Sequence, residues 1–363
     1  MNQYWSEKAK TLTPYTAGEQ PQQKLIKLNT NENPYEQSPK VLEAVMDASK
    51  NLRLYPSPNA DALREKIAQI HGVKPQQVFC ANGSDEALAM CFLAFFAGNT
   101  QVEENWFPLK NEPFTVKTMD ITYSFYPVWA KLFDVPLETV PLKEDYTVDI
   151  PKMCGGQGVI IANPNAPTGI ALDIAQIEQI VSSTSGVCVI DEAYCAFGAC
   201  SALPLVGRYQ NIAVVHTLSK SHCLAGLRVG YVIADENLIR ALETIKDSFN
   251  SYPVDMLAQA GAIAALSDVS YYEKITAEII ETRDFVMERL QDLGIRCLPS
   301  CANFIFAEFG KNTKFVFDAL RKRGILVRYF SGTRTKNFLR ITIGSQSDMK
   351  ILIKNITEIV RSL

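Results

Sequence analysis

The sequence predicts an α/β protein: a large unit on a mostly parallel sheet covered by helices, then a small C-terminal α+β unit. Three observations carry this. Through the middle of the chain, short β-branched runs alternate with helical ones, the pattern of parallel strands connected by helices. After Gly294 the texture changes to closely spaced strand-like and helix-like runs. The 363 residues, 47% hydrophobic and 21% charged, hold enough apolar material for one large and one smaller unit.

Residues 1–35 are polar and turn-rich and close on Asn29-Thr30-Asn31-Glu32-Asn33-Pro34, a segment in which no regular element is expected. A helix should start at the cap Ser38, with Pro39 at its first position, and run to about Leu52. A second should run from Asn59 to His71 and stop at Gly72. Val159–Ala162, Val187–Ile190, Ala213–His216 and Val229–Ala234 read as buried strands, and Asp173–Ser182 and Glu236–Phe249 as helices. Helical periodicity continues through Val254–Leu266 and Ser270–Leu293. Strands at Asn303–Phe309, Ile325–Phe330 and Phe338–Ile343, a helix at Thr313–Arg323 and a closing helix from Ser347 make up the C-terminal unit. The boundaries expected are therefore 1–35, 36–268 and 269–363, with the long helix at about 270–293 as the connection. Asn99–Lys117, polar and aromatic-rich with Pro108 and Pro113, fits no clean element.

Charge excludes some functions. With 36 Lys+Arg against 39 Asp+Glu, a net charge of −3 does not suit a nucleic-acid binder or a protein that grips an anionic membrane. The longest apolar stretch, Ala87 to Ala97, falls short of the ~20 residues that span a bilayer. The N-terminal MNQYWSEKAKTL has no apolar signal segment, so a cytoplasmic location is expected. The 9 cysteines form no CxxC pair and read as reduced thiols. His71, His216 and His222 are too few and too scattered for a multi-histidine metal site, so no metal is expected and the chemistry must rest on other groups.

Several motifs could carry it. Thr217-Leu218-Ser219-Lys220 follows a buried strand, and Arg228 lies eight residues on. A lysine at a strand's C-terminal end sits where open α/β sheets place their ligand crevice. Partial desolvation there makes it a nucleophile toward carbonyls. Thr217, Ser219 and Arg228 would suit a phosphate. The plain alternative is a solvated strand-end lysine with a surface arginine. Asp191 ends the apolar run Val187–Ile190 and needs a cationic partner or a capping role, with Tyr194 in reach of a phenolic oxygen or simply packed. Asn82-Gly83-Ser84-Asp85-Glu86 opens a helix, either as an anion-binding N-terminus or as an ordinary cap. Asn163-Pro164-Asn165-Ala166-Pro167-Thr168-Gly169 is a rigid loop after a strand. Tyr123 in Thr122–Pro127 could stack on a planar ring or pack.

In this order and spacing the motifs resemble the fold-type I pyridoxal-phosphate (PLP) aminotransferases, and among them the histidinol-phosphate aminotransferase family. The resemblance runs from Leu12-Thr13-Pro14-Tyr15 through Asn31–Tyr35, Leu54-Tyr55-Pro56, Asn82–Glu86, Asp191–Tyr194, Leu218–Ser221 and Leu224–Arg228 to Leu339–Gly344. It implies a fold-type I PLP-transferase in which residues 1–35 form an arm over the active site and 36–268 bind the cofactor. By the same resemblance, Lys220 carries PLP and shuttles the proton, and Asp191 pairs with the pyridine nitrogen. Tyr194 bonds the phenolic oxygen and Tyr123 stacks on the ring. Ser84 and Asp85 (through their backbone), Thr217, Ser219 and Arg228 surround the cofactor phosphate. Tyr55 reaches that phosphate from a neighbouring subunit, which implies a homodimer. Arg340, Arg328, Tyr15 and Asn33 contact the substrate. Many relatives have Asn directly before Pro-Thr-Gly where Ala166 stands here, and Asn165 is assigned that contact instead.

The activity so implied is transamination of imidazole-acetol phosphate with L-glutamate to L-histidinol phosphate and 2-oxoglutarate, a step of histidine biosynthesis. Threonine-phosphate decarboxylase and a broad aromatic aminotransferase are alternatives on the same fold. Thr217-x-x-Lys220 also superficially matches a penicillin-binding nucleophile, but the Ser-Asp-Asn and Lys-Thr-Gly elements are absent.

Overall fold

Apolar β-branched runs fold stably where both faces of a sheet are covered, and such runs form the centre of this protein. The computed structural model describes residues 4–21, 25–98 and 114–362. Its strands in chain order are β1 (Ile26–Lys27), β2 (Val78–Asn82), β3 (Val116–Met119), β4 (Leu137–Val140), β5 (Gly158–Ala162), β6 (Cys188–Asp191), β7 (Ile212–Thr217), β8 (Val229–Ala234), β9 (Arg296–Cys297), β10 (Phe304–Glu308), β11 (Ile325–Leu326), β12 (Arg328–Tyr329) and β13 (Phe338–Thr342).

A seven-stranded sheet has the order β2-β8-β7-β6-β5-β3-β4. From β7 to β4 all neighbours are parallel, while β8 runs antiparallel to both β7 and β2. The C-terminal ends of β2, β5, β6 and β7 therefore share one edge. Alternate residues enter two separate cores: Ile161, Ile190 and Val214 on one face, Ile160, Val189 and Val215 on the other. That double burial explains why these strands read as unbroken apolar runs.

Local chemistry sets the helix ends. Ser38 accepts from the Lys40 N–H ahead of helix Pro39–Ala48, which passes into a tighter turn at Ser49–Asn51. Asp173 accepts from the Gln176 N–H and starts helix Ile174–Ser183. Gly72, at φ +65°, ends helix Asp61–His71. Helix Val269–Asp292 buries Ile275, Ile279, Val286 and Leu290 against the C-terminal core. There, β12-β13-β10-β9 form an antiparallel sheet with helices Thr313–Lys322 and Gln346–Arg361.

Asn29–Pro34 forms no helix or strand, as expected, while ahead of it Glu7–Thr11 is helical and β1 pairs in parallel with β11, Ile26 opposite Ile325. One expectation is corrected. The single strand expected at Ile325–Phe330 is two pieces, β11 bound to β1 and β12 bound to β13. Ile325, Leu326 and Val327 are buried in succession, which a strand covered on one face cannot provide, so the chain passes from one sheet to another. Of the stretch expected to fit no element, residues 99–113 lie outside the described residues, while Val116 and Lys117 begin β3.

Candidate active site

The shared strand edge opens on a cleft. Tyr15, Ser84, Asp85, Tyr123, Asp191, Tyr194, Ser219, Lys220, Arg228, Arg328 and Arg340 all line it. They come from the N-terminal segment, the chain at the ends of β2, β3, β6 and β7, and both strands of the β12–β13 pair.

Asp191, the last residue of β6, is buried, and burial pushes its carboxyl up to about 6. Oδ2 accepts from the Tyr126 hydroxyl at 2.9 Å and Oδ1 from the Ala193 N–H at 3.2 Å, and both favour the ionised form. A cation brought into the cleft would stabilise it further. Lys220 follows β7 by three residues. Its Nζ donates to the Thr30 carbonyl at 3.2 Å and lies 5.9 Å from the Tyr194 ring centre. Burial first, and the Arg340 cation second, push its ammonium down to about 8. Among nearby charges, Asp85 and Glu32 oppose that shift.

The helix Gly83–Cys91 points its N-terminus into the cleft, and Asn82 makes no side-chain cap there. Two glycines bring the backbone in close. A Cβ on Gly83, at φ +79°, would lie 2.5 Å from Arg228 Nη2, and one on Gly230 would lie 2.4 Å from Ser84 N. Arg228 donates to Asp85 Oδ2 at 3.0 Å, and the Tyr123 hydroxyl donates to Asp85 Oδ1 at 2.9 Å. Thr217 does not line the cleft; its hydroxyl accepts from the Ser219 N–H at 3.1 Å and lies 2.9 Å from Ser219 Oγ.

Arg328 and Arg340 face each other across β12 and β13. Arg340 donates from Nη2 to the Asn29 carbonyl at 2.9 Å and lies over the Phe304 and Phe330 rings, while its Nε is buried without a partner. Burial and the Arg328 charge both work against its cation. Neither arginine pairs with a carboxylate among the described residues, which leaves two positive charges to be met by an anion. Tyr15 stacks on Phe125 at 4.7 Å between ring centres.

Besides Thr217, three assigned residues stand outside the cleft lining. Asn33 donates to the Lys220 carbonyl at 2.8 Å and accepts from the Tyr35 N–H, so it braces the lysine's backbone rather than lining the cleft. Asn165 gives its amide protons to the Ile121 carbonyl and Thr168 hydroxyl, and Ala166 lines the cleft beside it. Tyr55 is 82% exposed and stacks on Tyr252 at 4.9 Å. Residues not singled out in the sequence also matter: Tyr126 holds Asp191, and Asn31 donates to the Tyr194 hydroxyl oxygen at 2.9 Å. Their partners lie 65 and 163 positions away, so no local signal marks them. The histidines are less scattered than the sequence suggests, since the His71 and His216 rings stack at 5.6 Å. Among the described residues, no group of three or more His, Cys, Asp or Glu side chains is arranged to hold a metal, and no helix is long and apolar enough to cross a membrane.

The profile of the family Aminotransferase class I and II matches residues 23–356. The chain is 45% identical to "Histidinol-phosphate aminotransferase 1" of Oceanobacillus iheyensis, with 99% of each covered. It is 46% identical to a histidinol-phosphate aminotransferase of Acinetobacter baumannii, covering 98% of this chain and 97% of that one. The solved structure of histidinol-phosphate aminotransferase from Sinorhizobium meliloti, in complex with pyridoxal-5'-phosphate, superposes with a TM-score of 0.84 over 99% of this chain and 98% of that one; at 23% identity this speaks for the fold alone. By sequence and fold, the chain belongs to the class I and II aminotransferase family, among the histidinol-phosphate aminotransferases.

Proposed function

We propose that this chain is a pyridoxal-phosphate enzyme that moves the amino group of L-glutamate to imidazole-acetol phosphate, giving L-histidinol phosphate and 2-oxoglutarate. The observation that carries the substrate is the Arg328–Arg340 pair, two guanidiniums on adjoining strands in the cleft that Lys220 enters. Two forks of N–H donors with no carboxylate between them suit a phosphate dianion, and either can accept the carboxylate of glutamate.

The residues present fit pyridoxal phosphate. An uncapped helix N-terminus with Ser84, Asp85, Ser219 and Arg228 beside it is an anion cradle, and Thr217 orients Ser219. Asp191, buried and raised toward neutrality, would be stabilised by a protonated ring nitrogen. When bound, the cofactor supplies an electrophilic carbon and an electron sink. The chain's part is to hold it and move protons. Lys220, with its proton affinity lowered, is more often uncharged near neutral pH than an ordinary lysine, which suits it to covalent attachment. Once free, its Nζ can take a proton and return it, with the Thr30 carbonyl holding the amine in place. Tyr126 and the Ala193 N–H keep Asp191 ionised so that it holds a proton on the ring nitrogen. Tyr194 would donate to the phenolic oxygen, Tyr123 would cover one ring face, and Tyr15 would close over the substrate.

The same reading makes 36–268 the cofactor-binding unit, 269–363 the small unit and 1–35 an arm over the cleft, in a homodimer. Leu42, Met46, Leu52, Leu54 and Phe249 are exposed, like Tyr55, and supply apolar surface for a partner. Tyr55 would reach the partner's cofactor phosphate. The test is a single-turnover half-reaction with histidinol phosphate, phenylalanine, tyrosine and threonine phosphate, after borohydride has shown that the cofactor is fixed on Lys220. Histidinol phosphate should discharge the lysine-bound colour fastest. If it does not react, the substrate is wrong; if nothing is fixed on Lys220, the class of chemistry is wrong.

A further inference from the structure

Asn31 is almost wholly buried and adopts φ +57°, the left-handed region that Asn tolerates better than most residues. All four of its polar groups are engaged. The main-chain N–H donates to Thr342 Oγ1 at 3.0 Å, and the carbonyl accepts from Asn303 Nδ2 at 3.0 Å. Thr342 Oγ1 donates to Asn31 Oδ1 at 2.9 Å, and Asn31 Nδ2 donates to the Tyr194 hydroxyl oxygen at 2.9 Å.

These contacts run in one direction, from Thr342 through the Asn31 amide to Tyr194. In this arrangement Thr342 Oγ1 accepts from the Asn31 N–H and gives its single proton to Oδ1, which leaves the amide NH₂ facing Tyr194. Tyr194 then accepts with its oxygen and has its own proton left for another acceptor, in a ring that lines the cleft beside Lys220. A hydroxyl that accepts one hydrogen bond donates the next more strongly. Thr342 lies two residues after Arg340 on β13, so both project from the same face of that strand toward residues 29–31.

We propose that Asn31 is a positioning residue that directs the Tyr194 hydroxyl proton into the cleft, toward the phenolic oxygen of bound pyridoxal phosphate, and that Thr342 sets the Asn31 amide for this task. The strand that presents Arg340 thereby also sets the proton at Tyr194. The inference rests on the cofactor reading above and deepens it. A donor on the phenolic oxygen lowers that oxygen's pull on the neighbouring imine proton, so weakening the donor moves the pH midpoint of the bound cofactor's colour change upward.

The experiment is a pH titration of the visible absorption of the cofactor-loaded protein. Asn31→Gly removes the amide while keeping the φ that glycine accepts freely, and Thr342→Val removes the orienting hydroxyl at nearly constant volume. Each should raise the midpoint by about 0.3–0.7 pH unit, roughly two- to five-fold in proton affinity, and Thr342→Ser should restore it. In a Tyr194→Phe background, which should shift the midpoint more by itself, neither change should add anything. Unmoved midpoints in both Asn31→Gly and Thr342→Val, or a full further shift without the Tyr194 hydroxyl, would overturn the proposal. A protein in which borohydride fixes nothing on Lys220 would instead overturn the cofactor reading itself.

Discussion

Replacing Arg328 by Gln should make the apoprotein more stable and the enzyme worse at holding a phosphorylated substrate. Arg328 opposes Arg340 directly across β12 and β13, where cross-strand Cβ atoms lie about 4.5–5.5 Å apart. The charges sit at the ends of long side chains that both reach the Phe330 ring, at 5.8 and 5.7 Å; at a separation of about 8 Å two unit charges repel by roughly 0.5 kcal/mol in water and roughly 2 kcal/mol at an effective dielectric near 20. Arg328 is partly exposed, and its solvent screens the pair although burial works against the Arg340 cation, so relief should be about 0.5–1 kcal/mol. Arg328 lies over the Phe330 ring at 5.8 Å, and losing that contact offsets part of the gain. Substrate binding moves the other way. A charge-assisted hydrogen bond contributes about 1.5–3 kcal/mol, which corresponds to roughly ten- to 150-fold in kcat/KM for histidinol phosphate. Glutamate, with a single negative charge at that end, should lose less. Denaturant unfolding of the apoprotein gives the first quantity and half-reaction kinetics with both substrates the second. A variant that is destabilised by more than 1 kcal/mol and keeps the ratio of the two substrates unchanged would refute the reasoning, because Arg328 would then be holding structure rather than an anion.

Three further outcomes are expected. Asp191 is held above its unfolded value of 3.8, at about 6, so between those values the native state binds more protons and apoprotein stability falls as pH rises. Asp191→Asn should flatten that slope and stabilise the apoprotein at pH 7 by at most about 3 kcal/mol, while cofactor affinity drops; a slope unchanged in the variant refutes it. Lys220 is held below 10.5, at about 8, so the unfolded state binds more protons between these values and apoprotein stability rises with pH there. Lys220→Met should remove that rise and abolish turnover with the fold intact by circular dichroism. Tyr55→Phe should leave apoprotein stability within about 0.5 kcal/mol, because the side chain is exposed, yet weaken cofactor binding. A dimer mixed from Tyr55→Phe and Lys220→Ala chains should contain one site lacking both groups and one intact site, and full loss of activity in the mixture would argue against a shared site.

What could be read in the sequence, and what could not, follows from how far each signal reaches. Val229–Ala234 and Glu236–Phe249 are found where expected because buried strands and amphipathic helices announce themselves within their own residues. Ser38 and Asp173 cap helices for the same local reason. Lys220 and Asp191 stood out because a charged residue ending an apolar strand needs an explanation. β1 escaped notice because two residues carry no periodicity, and its partner β11 lies some 300 positions away. The break between β11 and β12 is a tertiary decision, made by two different neighbours on either side of Val327. The Tyr126–Asp191 and Asn31–Thr342 bonds are of the same kind: residue type permits them, and only the fold brings the partners together.

The shortage of histidine becomes intelligible on the same grounds. Successive residues of a strand face opposite sides of a sheet, and the two strand ends that build the cleft each place a pair of polar residues this way. Asp191 faces the cleft, and Glu192 turns to the other side, where Ala202 N–H and Ser201 Oγ donate to it at 2.6 Å. Thr217 orients Ser219 on the cleft side, and His216 turns away, its Nε2 3.4 Å from Glu192 Oε2 and its ring stacked on Tyr231 at 5.1 Å. Burial, with His71 close by, pushes His216 down to about 3, and burial pushes Glu192 up to about 7. A histidine so placed stays neutral and cannot reach the cleft, so it cannot act as the general base. His222 is likewise pushed down to about 4 by burial. Besides Asp191, which would hold the ring nitrogen, the cleft-side group that can exchange a proton near neutral pH is Lys220, and its own burial is what makes it one. The desolvation that destabilises the apoprotein at this position is the property that the chemistry requires.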